Sequence, residues 1–274
     1  MAKIIIFGAG AMGSAFSVPC ADNNHETIIV GSHLDDKFID QINKKNNFHP
    51  LLNINVSNKV KFIKEKNLLD QKNASVDLIV IGTNSKGLEW CAEKLNKIYK
   101  SKKLPPLLLL TKGLSVYRNK FETLEKKLLR LLFAKGYKNI NISAIAGPCL
   151  ASDLGAKAHS SIIVANKNLK TANWLKKLLE NDYYHIYSSN DINGVEIAAA
   201  IKNIFSIVIG SAQKIPSSKN IKQKNLKYLN TSAALFNQCI FEMELFVSAL
   251  RGKKNTVKGL AGIGDLYVSA AGGR

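Results

Sequence analysis

The feature that most constrains this chain is its opening. KIIIF (residues 3–7) is a short apolar run, and GAGAMG follows it at once, placing Gly8, Gly10 and Gly13 in a GxGxxG spacing. An apolar helical segment runs from Ala11 to about Ala21, and a second apolar run, Glu26 to Val30, comes next. Strand, glycine turn, helix and strand in that order form one βαβ unit of the kind that binds dinucleotides. The first glycine permits the tight turn, the second lets backbone approach a pyrophosphate, and the third allows close helix–strand packing. The diphosphate is expected on the amide groups at the helix N-terminus, where the helix dipole favours negative charge. At the end of the second strand the residue that often grips the ribose of NAD, Asp or Glu, is replaced by Gly31-Ser32-His33, with Asp35 and Asp36 slightly later. With no acid read at the strand end, Ser32 and His33 become candidate donors to a 2′-phosphate. NADP or NAD is therefore the expected cofactor, with NADP slightly preferred.

The alternation continues. VDLIVIG (76–82) is near-continuously apolar, as a parallel strand covered on both faces requires. LEWCAEKLNKIY reads as an amphipathic helix and PPLLLLT (105–111) as a strand, followed by KGL and a lysine-rich helix ending near Phe133. NISAIAG, SSIIVA and YYHIY read as further strands, with a helix around Trp174. From about Asp191 the pattern is helical. The expected fold is α/β, a Rossmann-type doubly wound parallel sheet followed by a smaller all-helical domain. Residues 1–190 would form the NAD(P)-binding domain and 191–274 a helical substrate domain, read as incomplete.

One residue in the helical part is out of keeping. GVEIAAAIKNIFSIVIG (194–210) is apolar all round the helical wheel, as a helix buried on every side would be, yet it carries Lys202. Lysine is rarely fully buried unless paired. Either the stem snorkels to the surface or the ammonium faces an internal site. Three other motifs should end near the same cleft at the carboxyl ends of the strands. These are TKG with Lys112, AGPC at 146–149, and GLAGIGDLYVSAAGGR with Asp265 and Arg274. Taken together, two lysines, an aspartate and an arginine suit an anionic, oxygen-bearing substrate.

The 274 residues carry a formal charge of +19, but the lysines are scattered among asparagines, as in NKKNNF and NIKQKNLKY. This reads as a solvated-surface bias; aromatic interleaving for base stacking is absent. Nucleic acid is therefore not expected as a partner. Glu196 and Lys202 interrupt the best bilayer-spanning candidate, so membrane insertion is not expected. Four scattered cysteines without CxxC or metal-like spacing fit a reduced, cytoplasmic setting, and no metal site is read.

The motifs GAGAMGSAFSVP, LLTKGL, IAGPCLASDL, GVEIAAAIKNIFSIVIG and GLAGIGDL with GGR resemble, in order and over the whole chain, NAD(P)-dependent glycerol-3-phosphate dehydrogenase. The first motif and the GGR ending look closest to the archaeal-type branch. The resemblance implies reversible hydride transfer between a nicotinamide and C2 of dihydroxyacetone phosphate or sn-glycerol 3-phosphate, which supplies glycerophospholipid synthesis. It implies Lys202 as the proton-transfer lysine and Lys112 as a catalytic lysine contacting both substrate and cofactor. It also implies Gly147 and Cys149 on the substrate side, the latter where Ser or Thr is commoner. Asp265 would be the substrate-site aspartate and Arg274 the phosphate-contacting arginine, which also touches cofactor. The cofactor side would comprise Gly8, Gly10, Ala11, Met12, Gly13, Ser32, His33, Lys112, Ala151 and Arg274. Asp153 stands where the family usually has Glu. The family continues past this arginine whereas these residues stop there, so weak turnover with retained cofactor binding is expected. A small phosphorylated compound is the expected partner, with a homodimer as a candidate assembly. Two alternatives stay open: a related β-hydroxyacid-type reductase acting on a non-phosphorylated ketone, and a non-catalytic nucleotide- or nucleic-acid-binding protein.

Overall fold

The computed structural model describes residues 1–71, 75–100, 103–214 and 228–271. An eight-stranded sheet forms its centre, with strand order β12-β11-β10-β7-β6-β1-β2-β5. These strands are β1 (Lys3–Phe7), β2 (Glu26–Val30), β5 (Val60–Ile63), β6 (Leu78–Ile81), β7 (Leu107–Leu109), β10 (Ile142–Ala146), β11 (Ser160–Ala165) and β12 (Tyr184–Ser189). Six run parallel, from β10 to β5, while β11 pairs antiparallel to β10 and parallel to β12. The doubly wound sheet expected from the sequence is thus present, but it is only mostly parallel, with an antiparallel step at β10–β11.

The apolar runs are continuous because both faces are covered. Ile5, Phe7, Ile79, Ile81, Leu107 and Leu109 point into one core, shared with α3 (Leu88–Tyr99), α4 (Leu124–Phe133) and α7 (Ile192–Lys214). Their alternates, Ile4, Ile6, Leu78, Val80 and Leu108, join α1 (Ala11–Asp22), α2 (Asp36–Lys44), the short α5 (Ala151–Gly155) and α6 (Leu169–Leu179) on the other face. Burial of each such side chain contributes about 1.5–3 kcal/mol, which is why these strands admit no polar alternation. Two small antiparallel ribbons lie outside the sheet, β3–β4 (Phe48–His49, Ile54–Asn55) and β8–β9 (Leu114–Tyr117, Lys120–Thr123). The second corrects the expectation of a helix directly after KGL: a hairpin intervenes before α4. Its turn residues Arg118 and Asn119 have φ of 49° and 59°, the double positive φ of a hairpin-compatible turn.

After β12 the chain is helical: α7 packs along α8 (Leu229–Ala249), followed by α9 (Lys254–Val257), a π-helical turn (Leu260–Gly264) and α10 (Asp265–Ala270). Asp191 fixes the start of α7, taking the Gly194 amide on one carboxylate oxygen and Lys253 N and Thr256 Oγ1 on the other. The first half of α7 is enclosed, but its second half is not: Ile204, Ile207 and Val208 are exposed. The expectation of burial on every side therefore holds only as far as Lys202. By length and composition, Ile192–Ala212 is apolar enough to cross a membrane, with a mean hydropathy of 1.6, contrary to the reading that Glu196 and Lys202 rule this out. Here its first half is a core helix.

Candidate active site

The cleft opens over the ends of β1, β2 and β6, beside the point between β1 and β6 where the strand order reverses, as expected for a doubly wound sheet. Its outer part, about 490 Å³, is bounded by Gly8, Ala9 and Gly10, by Ser32 to Asp35 after β2, and by Gly82 to Asn84, Lys86 and Trp90 after β6. Its inner part, about 630 Å³, is bounded by Ala11, Met12, Thr83 to Ser85, Thr111, Lys112, Cys149 to Ser152, Lys202, Asn203, Asp265 and Ser269. The two parts adjoin across a common wall, Gly82, Thr83 and Asn84.

The glycine turn fits a dinucleotide. A Cβ on Gly13 would lie 2.3 Å from the Gly8 carbonyl oxygen, so α1 packs against the turn only without a side chain there. A Cβ on Gly10 would meet nothing within 4 Å, leaving open space over the helix N-terminus. No side chain caps that terminus, and its first turn holds no acid. Its amides and dipole are thus available to a diphosphate. Ala11 and Met12 carry the wall from this turn into the inner cleft.

The inner cleft is organised around Asp265. Lys202 Nζ donates to Asp265 Oδ1, and Lys112 Nζ donates to Asp265 Oδ2 at 2.6 Å. One carboxylate thus bridges two ammonium groups that come from positions 63 and 153 residues away. Asp265 is 2% exposed and Lys202 8%, so the lysine does not snorkel to solvent. Burial pushes Lys202 down to about 8; the Lys112 ammonium pushes the same way and the Asp265 carboxylate opposes both. Such a group can both give and take a proton near neutrality. Two cations against one anion leave a net positive charge, which suits an anionic substrate.

Local structure holds each partner. Thr111 Oγ1 lies 2.7 Å from the Thr83 carbonyl and 3.2 Å from that of Ile81, and its one hydrogen, donated to either, ties the chain just before Lys112 to the end of β6. Asn84 Oδ1 accepts the amides of Lys86 and Gly87 and shapes the loop opposite. Asp265 begins α10 directly after the π-helical turn, a geometry often found at functional sites. Gly262 is required in that turn, because its Cβ would sit 2.0 Å from the Val257 carbonyl oxygen.

The structure brings most of the expected residues together. Gly8, Gly10, Ser32 and His33 border the outer cleft, and Ala11, Met12, Lys112, Cys149, Ala151, Lys202 and Asp265 the inner one. Gly147 borders a small side cavity with Met12, Lys112 and Cys149. Burial raises the Cys149 thiol to about 11, so it faces the site as a neutral thiol. Asp153 is exposed, bonded to Ser152 Oγ, and does not border the cleft. Arg274 lies outside the described residues. Among the described residues no group of three or more His, Cys, Asp or Glu side chains could hold a metal ion, and all four cysteines are free.

Two features escape a reading of the sequence. Thr83, Asn84, Ser85, Thr111 and Ser269 also border the inner cleft, beside Asn203, which follows Lys202 in the same helical motif; the first three follow β6, the neighbour of β1, which is the available signal. At the end of β2, moreover, an acid does reach the strand end. Asp35 Oδ2 accepts the Ser32 amide at 2.8 Å and the Ser32 hydroxyl at 2.9 Å. The absence of a carboxylate inferred from Gly31-Ser32-His33 is thus corrected: a turn of three residues brings it back. His33 is turned toward Glu65, 4.0 Å away.

Comparison with known proteins agrees with this geometry. Residues 3–172 match the family model for the NAD-dependent glycerol-3-phosphate dehydrogenase N-terminus, and residues 191–274 match that for its C-terminus. The chain is 29% identical over 271 residues to an NADP(+)-dependent glycerol-3-phosphate dehydrogenase of Archaeoglobus fulgidus, covering 99% of this chain and 77% of that protein. It is 28% identical to a glycerol-3-phosphate dehydrogenase [NAD(P)+] of Phytoplasma mali, covering 98% and 74%. The crystal structure of glycerol-3-phosphate dehydrogenase from Coxiella burnetii superposes with a TM-score of 0.78 at 22% identity, covering 98% of this chain and 75% of that one. With both halves matched in order, the chain belongs to the NAD-dependent glycerol-3-phosphate dehydrogenase family.

Proposed function

We propose that this protein is an NAD(P)-dependent glycerol-3-phosphate dehydrogenase that interconverts dihydroxyacetone phosphate and sn-glycerol 3-phosphate. The observation that carries the proposal is the Lys202–Asp265–Lys112 bridge, centred on a buried carboxylate and facing a cleft that adjoins the glycine turn. Gly8, Gly10, Ala11, Met12, Gly13 and the loop after β6 would hold the dinucleotide. Bound there, it supplies a hydride to C2 in reduction and takes one in oxidation. As the ketone oxygen gains negative charge, the Lys202 ammonium gives it a proton; in the reverse direction neutral Lys202 takes the alcohol proton. Lys112 stays on the second oxygen of Asp265 and adds the positive charge that draws the phosphorylated substrate. Asp265 holds both ammonium groups in place. The split between cofactor and substrate domains lies near Asn190 in this reading, with a cytoplasmic location and a homodimer as the assembly to test.

The test is oxidation of NADH or NADPH by the purified protein, with dihydroxyacetone phosphate and with non-phosphorylated ketones compared side by side. Turnover confined to the phosphorylated ketone is expected. Turnover of only the non-phosphorylated ketones would favour a different reductase of the same fold.

A further inference from the structure

We propose that Asp35 sets the nucleotide preference of this chain in favour of NADH, by offering its carboxylate to the adenosine ribose and excluding a 2′-phosphate. The inference rests on the dinucleotide reading of the outer cleft and deepens it. That cleft is bordered on one side by the Gly8–Gly10 turn and on the other by Ser32 to Asp35, the two walls between which the adenosine half would lie.

The geometry bears directly on a 2′-phosphate. A serine has one backbone N–H and one hydroxyl hydrogen to donate. Both Ser32 donors go to the same oxygen, Asp35 Oδ2, at 2.8 and 2.9 Å, while the Ser32 hydroxyl also accepts the Leu34 amide at 3.3 Å. Ser32 therefore has no donor left for a phosphate. What this corner presents instead is the Asp35 carboxylate, a group that accepts hydrogen bonds. A ribose 2′-hydroxyl donates to such a group, whereas a phosphate, which also only accepts, is repelled. Asp35 Oδ1 has no hydrogen-bond partner among the described residues and is the oxygen free to take a hydroxyl.

The other charges nearby do not reverse the sign. His33 is directed at Glu65, 4.0 Å away, and Glu65 also binds Trp90 Nε1 at 2.9 Å and the Lys94 ammonium. These cationic and donor groups are thus already engaged by a second carboxylate. Lys86, on the wall after β6, is the cation bordering the cleft opposite Asp35 and is exposed, so solvent screens it.

The experiment is a fluorescence titration of the unmodified protein and of Asp35→Asn with NADH, NADPH and ADP-ribose, with thermal melts to show that the variant folds. The unmodified protein is expected to bind NADH at least tenfold more tightly than NADPH. Asp35→Asn keeps the shape and removes the charge; it should tighten NADPH binding about tenfold and weaken NADH binding severalfold. Adding Lys86→Gln to Asp35→Asn should weaken NADPH binding more than Lys86→Gln does on its own. Equal or tighter binding of NADPH by the unmodified protein, or an unchanged preference in Asp35→Asn, would overturn the proposal while leaving the dinucleotide reading intact. Failure of all three ligands to bind would overturn that reading and the proposal with it.

Discussion

Replacing Asp265 with Asn should move the pH dependence of the reaction, not merely lower its rate. In the parent protein Lys202 sits at about 8, held there by burial and the Lys112 ammonium against the opposing Asp265 carboxylate. Unit charges about 4 Å apart at an effective dielectric of about 20 interact by about 4 kcal/mol. That would be worth roughly three pKa units, at about 1.4 kcal/mol each. The Asn side chain retains an acceptor and the cleft admits water, so about two-thirds of that effect is expected, which places Lys202 at about 6 in the variant. Reduction needs the ammonium. At pH 7 its population would fall from about nine-tenths to about one-tenth, a roughly tenfold loss from protonation alone, recovered at about pH 5.

The assay is kcat/KM for ketone reduction between pH 5 and 9, which reports the free protein's ionisations. The descending limb, expected at about 8 in the parent, should appear at about 6 in Asp265→Asn. For alcohol oxidation, which needs neutral Lys202, the ascending limb should move the same way. Lost contacts to substrate would lower both profiles uniformly and cannot mimic this displacement. A variant whose limb stays at about 8, at reduced height, would show that Asp265 does not set the lysine's charge state.

Further outcomes concern the same helix. Lys202→Met keeps roughly the side-chain volume and removes the proton, so turnover should fall by about 10²–10⁴ while NADH binding, followed by fluorescence, changes little. A variant reducing dihydroxyacetone phosphate at the parent rate would exclude the lysine as proton donor. Glu196, buried on α7, accepts the Glu125 amide at 3.1 Å at the start of α4. Burial raises its carboxyl to about 8, with the Glu125 carboxylate pushing the same way. The unfolded chain releases this proton near the ordinary value of about 4.3, so the folded state holds more protons between there and about 8, and stability falls as pH rises through that window. Glu196→Gln mimics the protonated form; its melting temperature relative to the parent should therefore rise from about pH 5 to about pH 8. A gap that stays constant with pH would mean that Glu196 is ionised throughout.

Which parts of this molecule can be read from its sequence follows from where the determining forces act. Strands such as VDLIVIG are specified by burial on both faces, a requirement each strand meets with its own residues, and the glycine turn is marked by its spacing within one βαβ unit, although the backbone that closes on Gly8 is that of Gly82 and Thr83 after β6. The hairpin before α4 is not legible in this way, because its residues are largely exposed and its turn is Arg118-Asn119, without the glycine that usually marks such turns. The antiparallel step at β11 is hidden for a different reason: SSIIVA satisfies burial equally well in either direction.

Lys202 is readable because a buried charge is costly in any fold, so an ammonium in GVEIAAAIKNIFSIVIG demands a partner before the partner is known. Asp265 and Lys112 are flagged by their motifs, but only the fold places Lys112 and Lys202 on opposite oxygens of one carboxylate. Asp35 shows the reverse case. It lies three residues beyond Ser32, yet nothing local requires its side chain to fold back, since a half-exposed aspartate before a helix is unremarkable. Charge in a core announces itself through its desolvation cost; charge at a surface acquires meaning only from the geometry of its hydrogen bonds. Lys202, the proposed proton donor, and Asp35, the proposed nucleotide selector, fall on either side of that division. It is the second kind of residue, inexpensive to place and to change, through which the cofactor preference of such a cleft can differ between relatives that keep the same core.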